Sequence, residues 1–472
     1  MSNILSIPLI VISFLFSILV TIYPFKIGRL TVEMSIGPIL ALLLLIVLKV
    51  ITLETIRLGI LGNSHLKPWE IIIIFFTTAY ASISVDVTGI FDFLAYKIVY
   101  KAKGDGVKLF IFFYCFACIL TSFTSNDIVI LTLTPIIFYL GRHSNINVIP
   151  LLFAEFFGAN TLSMLLYIGN PTNIIVGNAL RLGFLDYTRI MWLPTIVATL
   201  ANIGLLYAVF RKQITKRYTI DHKSRFHVRH WGGAVFSSVL LLAMLIVLAF
   251  SQTLGIPIWK VTAIFAALFM VEDLAFSIFF TLKELIVLPI KVQKELQRDK
   301  RELFGLYGIP EKKNEFWIAF ERVPWKILPF ILSCFIFVQG LNQYGVVDWL
   351  AKLMAGFSQT TAQGIFANGF LGLIMSNIIN NQPMTIFLSG ILVSKSFQVP
   401  PPAFMGSAYA IVIASNLGAN ITLIGALAGL MWEKILKSKG LEISYLDFMQ
   451  TGLIITPVVF CLTLGMLYWV LG

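Results

Sequence analysis

Charge is scarce in this sequence. Only 12% of its 472 residues are Asp, Glu, Lys or Arg, against about 25% in an ordinary soluble domain. That shortage excludes a water-exposed globular surface for most of the chain. Cysteine is equally sparse. Cys115, Cys118, Cys334 and Cys461 all lie in apolar stretches. The C-x-x-C spacing of the first two has no His or further Cys nearby, so it reads as packing rather than metal or redox chemistry. No grouping of His, Cys and Met suits copper or zinc. A glycine-rich phosphate loop ending in Lys-Ser/Thr is missing, so the chain does not hydrolyse ATP through that device. No cofactor is expected, nor is the chain expected to be an enzyme.

What is present is apolar. The chain is 58% hydrophobic, carries 40 Phe and has a mean hydropathy of +0.89. Runs of about 18 or more apolar residues, the length a helix needs to cross a bilayer, recur throughout. Spans are expected near residues 4–24, 34–54, 70–92, 190–210, 232–251, 258–281, 327–346 and 452–471. The first run lacks a basic leader and a small-residue cleavage site, so it reads as a retained helix. The net charge of +12 comes from basic residues in short loops, a positive-inside pattern rather than a nucleic-acid stripe. The expected environment is a lipid bilayer, with no nucleic-acid partner and with the cell (inner) membrane as location.

Polar breaks interrupt this apolar sequence at matching places. Residues 158–173 read GANTLSMLLYIGNPTN and residues 418–432 read GANITLIGALAGLMW. Each follows a polar tip, TSNDIVILTLTP at 124–135 and NIINNQPMTIFL at 377–388. Helices broken at corresponding places in two halves mark a secondary transporter with its site at mid-membrane. The expected fold is therefore an all-α polytopic membrane protein built from inverted structural repeats. It has about 10 crossings, two re-entrant hairpins (107–140 and 362–397) and two discontinuous helices (148–178 and 402–433). The first repeat spans 1–210, a basic cytoplasmic linker 211–231, and the second repeat 232–472 with an amphipathic cytoplasmic segment at 283–326.

The breaks supply the candidate binding residues. Asn126 and Asp127 lie at the first tip, and Asn377, Asn380, Asn381 and Gln382 at the second. Amides donate and accept, which suits an oxyacid, an anion or an ion shell; equally, they could stitch a helix break to its own backbone. Gly158, Asn160 and Thr161, with Gly418, Asn420 and Thr422, mark the discontinuous helices, where Gly permits unwound backbone. Asn160 and Asn420 should be equivalent positions facing each other. Asn170, Thr172 and Asn173 form a further polar break in the first half only. An ionisable group at membrane depth is a functional hypothesis by default. Asp127 is the first choice to carry a coupling proton, although it also fits a helix N-cap. Glu155, Asp86 and the adjacent Glu272 and Asp273 follow. No Lys or Arg is expected near either tip, and His65 and His143 read as surface residues.

Several of these segments carry a resemblance. ISVDVTGIFDFLAYKI, FTSNDIVILTLTPII, MSNIINNQP, NLGANITLIGALAGLMWEKIL and KGLEISYLDFMQTGLIITPVV resemble the arsenical pump membrane proteins. These are similar in turn to the NhaD sodium/proton antiporters and, more distantly, to silicon effluxers and divalent-anion/sodium symporters. The resemblance implies an inverted-repeat carrier, often a homodimer, that exports arsenite or antimonite in exchange for protons, with or without a soluble ATPase partner. It places Asn126, Asp127, Asn380, Asn381, Pro383 and Asp86 on motif positions. It also marks a departure. The arsenite permeases usually read Asp-Leu-Gly-Pro-Lys-Ile-Thr-Pro-Ile-Gly where this chain has NLGANITLIG at 416–425, without the acid, the Lys or either Pro. The leading expectation is thus proton-coupled efflux of a small oxyacid. Sodium/proton exchange and anion transport, with sodium as the alternative coupling ion, are the other members of the set.

Overall fold

The computed structural model describes residues 3–63, 66–219, 228, 231–287 and 315–472. Most of the linker at 220–230, His65 and the segment 288–314 lie outside the described residues. Ten of the described stretches are long and apolar enough to cross a membrane. The protein is an all-α integral membrane protein, as a backbone in apolar surroundings must satisfy its own polar groups.

The first half runs α1 (Asn3–Ile22), α2 (Gly37–Val47), α3 (Leu53–Leu61), α4 (Pro68–Val87), α5 (Ile90–Lys101), α6 (Gly106–Phe123), α7 (Asn126–His143), α8 (Ile149–Leu162), α9 (Pro171–Ala179) and α10 (Phe184–Phe210). The second runs α11 (Trp231–Phe250), α12 (Ile258–Val287), α13 (Glu315–Arg322), α14 (Ile327–Gln343), α15 (Val346–Gly356), α16 (Thr361–Ile379), α17 (Asn381–Leu392), α18 (Pro401–Leu417), α19 (Leu427–Ser438) and α20 (Tyr445–Leu471). Two 3-10 turns, Gly418–Asn420 and Leu423–Gly425, lie between α18 and α19. A short β-ribbon, Phe25–Ile27 with Leu30–Val32, follows α1.

Three expected boundaries move. The span expected at 34–54 is two helices, because Lys49 takes a left-handed φ of 56° and Thr52 caps α3 by accepting from the Thr55 N–H at 3.1 Å. The span expected to reach residue 92 stops at Val87, where Gly89, at φ 81°, opens α5. The third concerns the first discontinuous helix. α8 runs unbroken through Gly158 to Leu162, and the chain leaves the helix only after Ser163. Gly158 therefore serves packing instead of unwinding: a Cβ there would sit 3.2 Å from Cys118 Sγ and from Tyr114, so α6 and α8 approach closely. The second half does loosen where expected, passing from α18 into the 3-10 turn at Gly418.

Loops expected on one side of the membrane lie together. The Gly106 N–H donates to Lys216 O at 3.2 Å, and Arg142 donates to Lys439 O at 3.4 Å. Asp105 caps α6 by accepting from the N–H groups of Lys108 and Val107, and these bonds hold its carboxyl below the usual range.

Two aromatic clusters join the halves. Phe153 and Phe156 of α8 pack on Trp432 of α19 and Phe448 of α20, with ring centroids 5.2–5.8 Å apart. Further along the chain path, Tyr187 of α10 packs edge-on against Tyr167 and tilted against Tyr409, each with ring centroids 5.8 Å apart. Such pairs contribute about 0.5–1.5 kcal/mol each beyond burial of their area. Within each half the break is closed by a tight backbone approach. A Cβ on Gly169 would lie 2.2 Å from Ser163 O, and one on Gly429 would lie 2.3 Å from Leu423 O. The same contact thus closes the loop at the same six-residue separation in each half.

Gly452 of α20 sits directly on the break, since a Cβ there would lie 2.3 Å from Asn420 O and 2.7 Å from Ile421 Cα. Backbone cannot rotate away as a side chain does. Gly452→Ala is expected to destabilise the protein by about 1–3 kcal/mol, read as a lower melting temperature in detergent. Gly465→Ala, on the same helix with nothing within 4 Å, should leave that temperature nearly unchanged or raise it slightly. Equal melting of the two variants would contradict the packing account.

Candidate functional site

Each tip is built by a helix start. At the first, Ser125 Oγ accepts from the Ile128 N–H and is the N-cap of α7. Asp127 therefore does not cap. It sits in the first turn, buried, with Oδ2 lacking any hydrogen-bond partner. At the second, Asn380 takes φ 72°, its Oδ1 accepts from the Gln382 N–H at 3.2 Å and its Nδ2 donates to Ile424 O at 2.9 Å. Asn377 reaches the same break: Nδ2 donates to Gly418 O at 3.1 Å, while Oδ1 accepts from Thr422 Oγ1 at 2.7 Å. Asn377, Asn380 and Thr422 thus stitch the second tip to the loosened helix behind it.

The remaining amides form a network across the halves. Asn126 Nδ2 donates to Asn160 Oδ1 at 2.8 Å, and Asn160 Nδ2 donates to Asn420 Oδ1 at 2.9 Å. The positions expected to face each other are hydrogen-bonded. A second group centres on Asn416 of α18, which the sequence did not single out. Its Oδ1 accepts from Ser163 Oγ at 2.7 Å and Asn170 Nδ2 at 2.9 Å, and its Nδ2 donates to Asn173 Oδ1 at 2.9 Å. Asn170 also caps α9, accepting from Thr172 N–H and Oγ1. Ser415 Oγ bonds Thr172 Oγ1 at 2.9 Å, and Asn381 Nδ2 donates to Ser415 O at 2.9 Å. Asn416 occupies the position where the resemblance has an acid. That departure was the one signal for it.

Four oxygens at the tips are buried and accept from nothing: Asn126 Oδ1, Asp127 Oδ2, Asn381 Oδ1 and Gln382 Oε1. Buried acceptors in apolar surroundings ordinarily find donors, so each of these oxygens is open to a hydroxyl or a positive charge brought by a ligand. Thr161 stands apart, accepting from Asn202 Nδ2 at 2.6 Å and donating to Phe157 O.

The other acids separate into distinct sites. Glu155 of α8 accepts from Thr134 Oγ1 at 2.8 Å, and its buried Oε2 has no partner. Asp86 of α4 accepts from Thr132 Oγ1 at 3.0 Å and pairs through the same Oδ2 with Arg322 at the end of α13. Arg322 thus meets an acid bonded to α7 well along the helix from the tip, at Thr132. Amphipathic α13 packs on α4 and points a guanidinium inward. Asp273 of α12 accepts from Tyr80 Oη at 2.6 Å and Ser84 Oγ at 2.9 Å, and Glu272 accepts from Ser237 Oγ at 2.8 Å. Both therefore sit with α4 and α11 rather than in the amide network.

Comparison with known proteins adds the family. Residues 15–410 match the family described as citrate transporter. The chain belongs to that family. It is a membrane transporter. It is also 26% identical to an arsenical pump membrane protein of Escherichia coli over 411 residues, covering 84% of this chain and 86% of the relative. The proteins of that name from Yersinia enterocolitica and from Escherichia coli strain K12 are 26% and 27% identical, each with 84% of this chain and 86% of the relative covered.

In this transporter Asn416→Ala would remove the bonds to Ser163, Asn170 and Asn173 at once, stranding Asn170 Nδ2 and Asn173 Oδ1 while Ser163 Oγ keeps Asn160 O. Each stranded buried group costs about 1–3 kcal/mol. The melting temperature of Asn416→Ala should fall well below that of Thr161→Val, which loses one bonded hydroxyl. A fall no greater than for Thr161→Val would place the network's weight elsewhere.

Proposed function

We propose that this transporter exports a small neutral oxyacid in exchange for protons, with arsenite or antimonite as the first substrates to test. One observation carries the reading. Uncharged amides from both halves are linked through Asn126, the chain neighbour of Asp127, a buried carboxylate with no ion pair among the described residues. As(III) is a neutral trihydroxide near neutral pH, and its three hydroxyls would donate to unpartnered oxygens at the tips. The arsenical pump names of the relatives support the same choice. Asp127 would carry the exchanged proton at the tip. Glu155, with one free carboxylate oxygen along α7's other face, would pass it on. Asp86 is a weaker carrier, being already matched by Arg322.

A sodium ion is the second reading, favoured by a specific observation: all four unpartnered groups at the tips are oxygens, the donors a hard cation takes. Proteoliposomes under a fixed pH gradient separate the cases when arsenite, sodium, citrate and phosphate are added singly. Arsenite-evoked proton flux is expected, reduced about tenfold or more by Asp127→Asn and by Glu155→Gln. Flux evoked by sodium alone would make the chain a cation antiporter. Flux evoked by citrate or phosphate alone would make it an anion carrier.

A further inference from the structure

The amphipathic helix α13 does something that neither its sequence nor the family accounts for. Arg322, its last residue, reaches Asp86, whose side chain is 2% exposed, while Arg322 itself is 16% exposed. The pair crosses from one half to the other. Thr132 of α7 bonds the same carboxylate oxygen. Thr132 is five residues beyond Asp127, about 7.5 Å along the helix. The guanidinium is therefore tied, through one carboxylate, to the helix that begins at the first tip.

Three features distinguish this pair from a fixed brace. Both partners use Asp86 Oδ2, and Oδ1 is buried without a partner. A permanent Arg–carboxylate pair tends to be bidentate and fully satisfied. Arg322 also stands at a joint. α13 ends there, the chain leaves the helix at Val323 and Pro324, and α14 starts only at Ile327. Pro324 cannot donate to continue the helix. Finally, the chain past this joint is held to α4 independently of the ion pair: Trp325 stacks flat on Phe76 at 5.1 Å and donates its Nε1–H to Phe320 O at 2.8 Å. The segment would therefore stay attached to α4 when the ion pair opens.

We propose that Arg322 is a positioning residue of the transport cycle: its guanidinium holds Asp86 against Thr132, fixing α7 and its tip relative to α4, and releases it when the tip moves. The proposal rests on the coupled-carrier reading above. Arg322 does not touch the ligand in this scheme. Its loss should therefore slow turnover without weakening substrate affinity.

The test uses the full chain in proteoliposomes, with R322Q, R322K and D86N compared for exchange and for melting in detergent. R322Q should lower Vmax about tenfold or more while KM stays within about threefold, and R322K should recover part of the rate. A full rate in R322Q overturns the proposal. So does a loss of Vmax that follows the melting temperature across the three variants, since that is the mark of a brace. If the unaltered chain exchanges none of the ions tried, the carrier reading fails on its own. The coupling is then decided by amide hydrogen exchange in the first turn of α7, compared between the unaltered chain and R322Q in detergent. R322Q should speed that exchange about tenfold while exchange in α20 stays unchanged. Exchange in α7 that is the same in both overturns the proposal by that route.

Discussion

Every break in an apolar helix releases N–H and C=O groups that hydrocarbon cannot satisfy, and the architecture follows from where their partners come from. At the second tip they come from Asn377 and Asn380, which bond Gly418 O and Ile424 O of the neighbouring break. At the first tip the Asn126 N–H donates to Gly169 O. Each tip is thus completed by the broken helix beside it. Neither can form before the other, and the residues that solve this backbone problem are the same ones that line the candidate site. Structural and functional roles are not alternatives here.

Along α7 the acids are arranged by helical geometry. Thr132 and Thr134 are two residues apart, about 200° around the helix, so one meets Asp86 on α4 and the other meets Glu155 on α8. Two carboxylates that look interchangeable in the sequence thereby acquire different surroundings. One is matched by a guanidinium from the other half. The other has only a hydroxyl and a free oxygen. The helix acts as a partition, keeping a charge-balanced acid and an unbalanced one on opposite faces.

Much of this was legible in the sequence because membrane helices announce themselves by length and their breaks by Asn, Gly and Pro. The tips at Ser125 and Asn380, the Asn160–Asn420 contact and the loosening at Gly418 all follow from local chemistry of that kind. The misses have physical causes. Gly158 permits unwinding and close packing alike, and only the neighbour across the gap, Cys118, decides which occurs. Asn416 is one amide among many until its three partners, from two segments far away in the chain, are seen around it. Arg322 belongs to a segment whose charge pattern fits a water-exposed surface, and nothing in that pattern tells which side chain turns inward. Lys49 broke an expected span because a left-handed residue leaves no mark on hydropathy.

The chain of amides from Asn126 through Asn160 to Asn420 has a direction: each passes a hydrogen from the first half toward the second. An amide turned by 180° exchanges its donor for its acceptor, and in this row one cannot turn without losing a bond unless its neighbours turn too. The row therefore has two polarities rather than a continuum. As drawn, it presents a bare oxygen at Asn126 and welcomes a donor. Reversed, it would present an N–H there and welcome an acceptor. A site wired in this way can answer to ligands of opposite hydrogen-bonding character without moving its backbone, which offers a physical route for one fold to serve chemically dissimilar solutes.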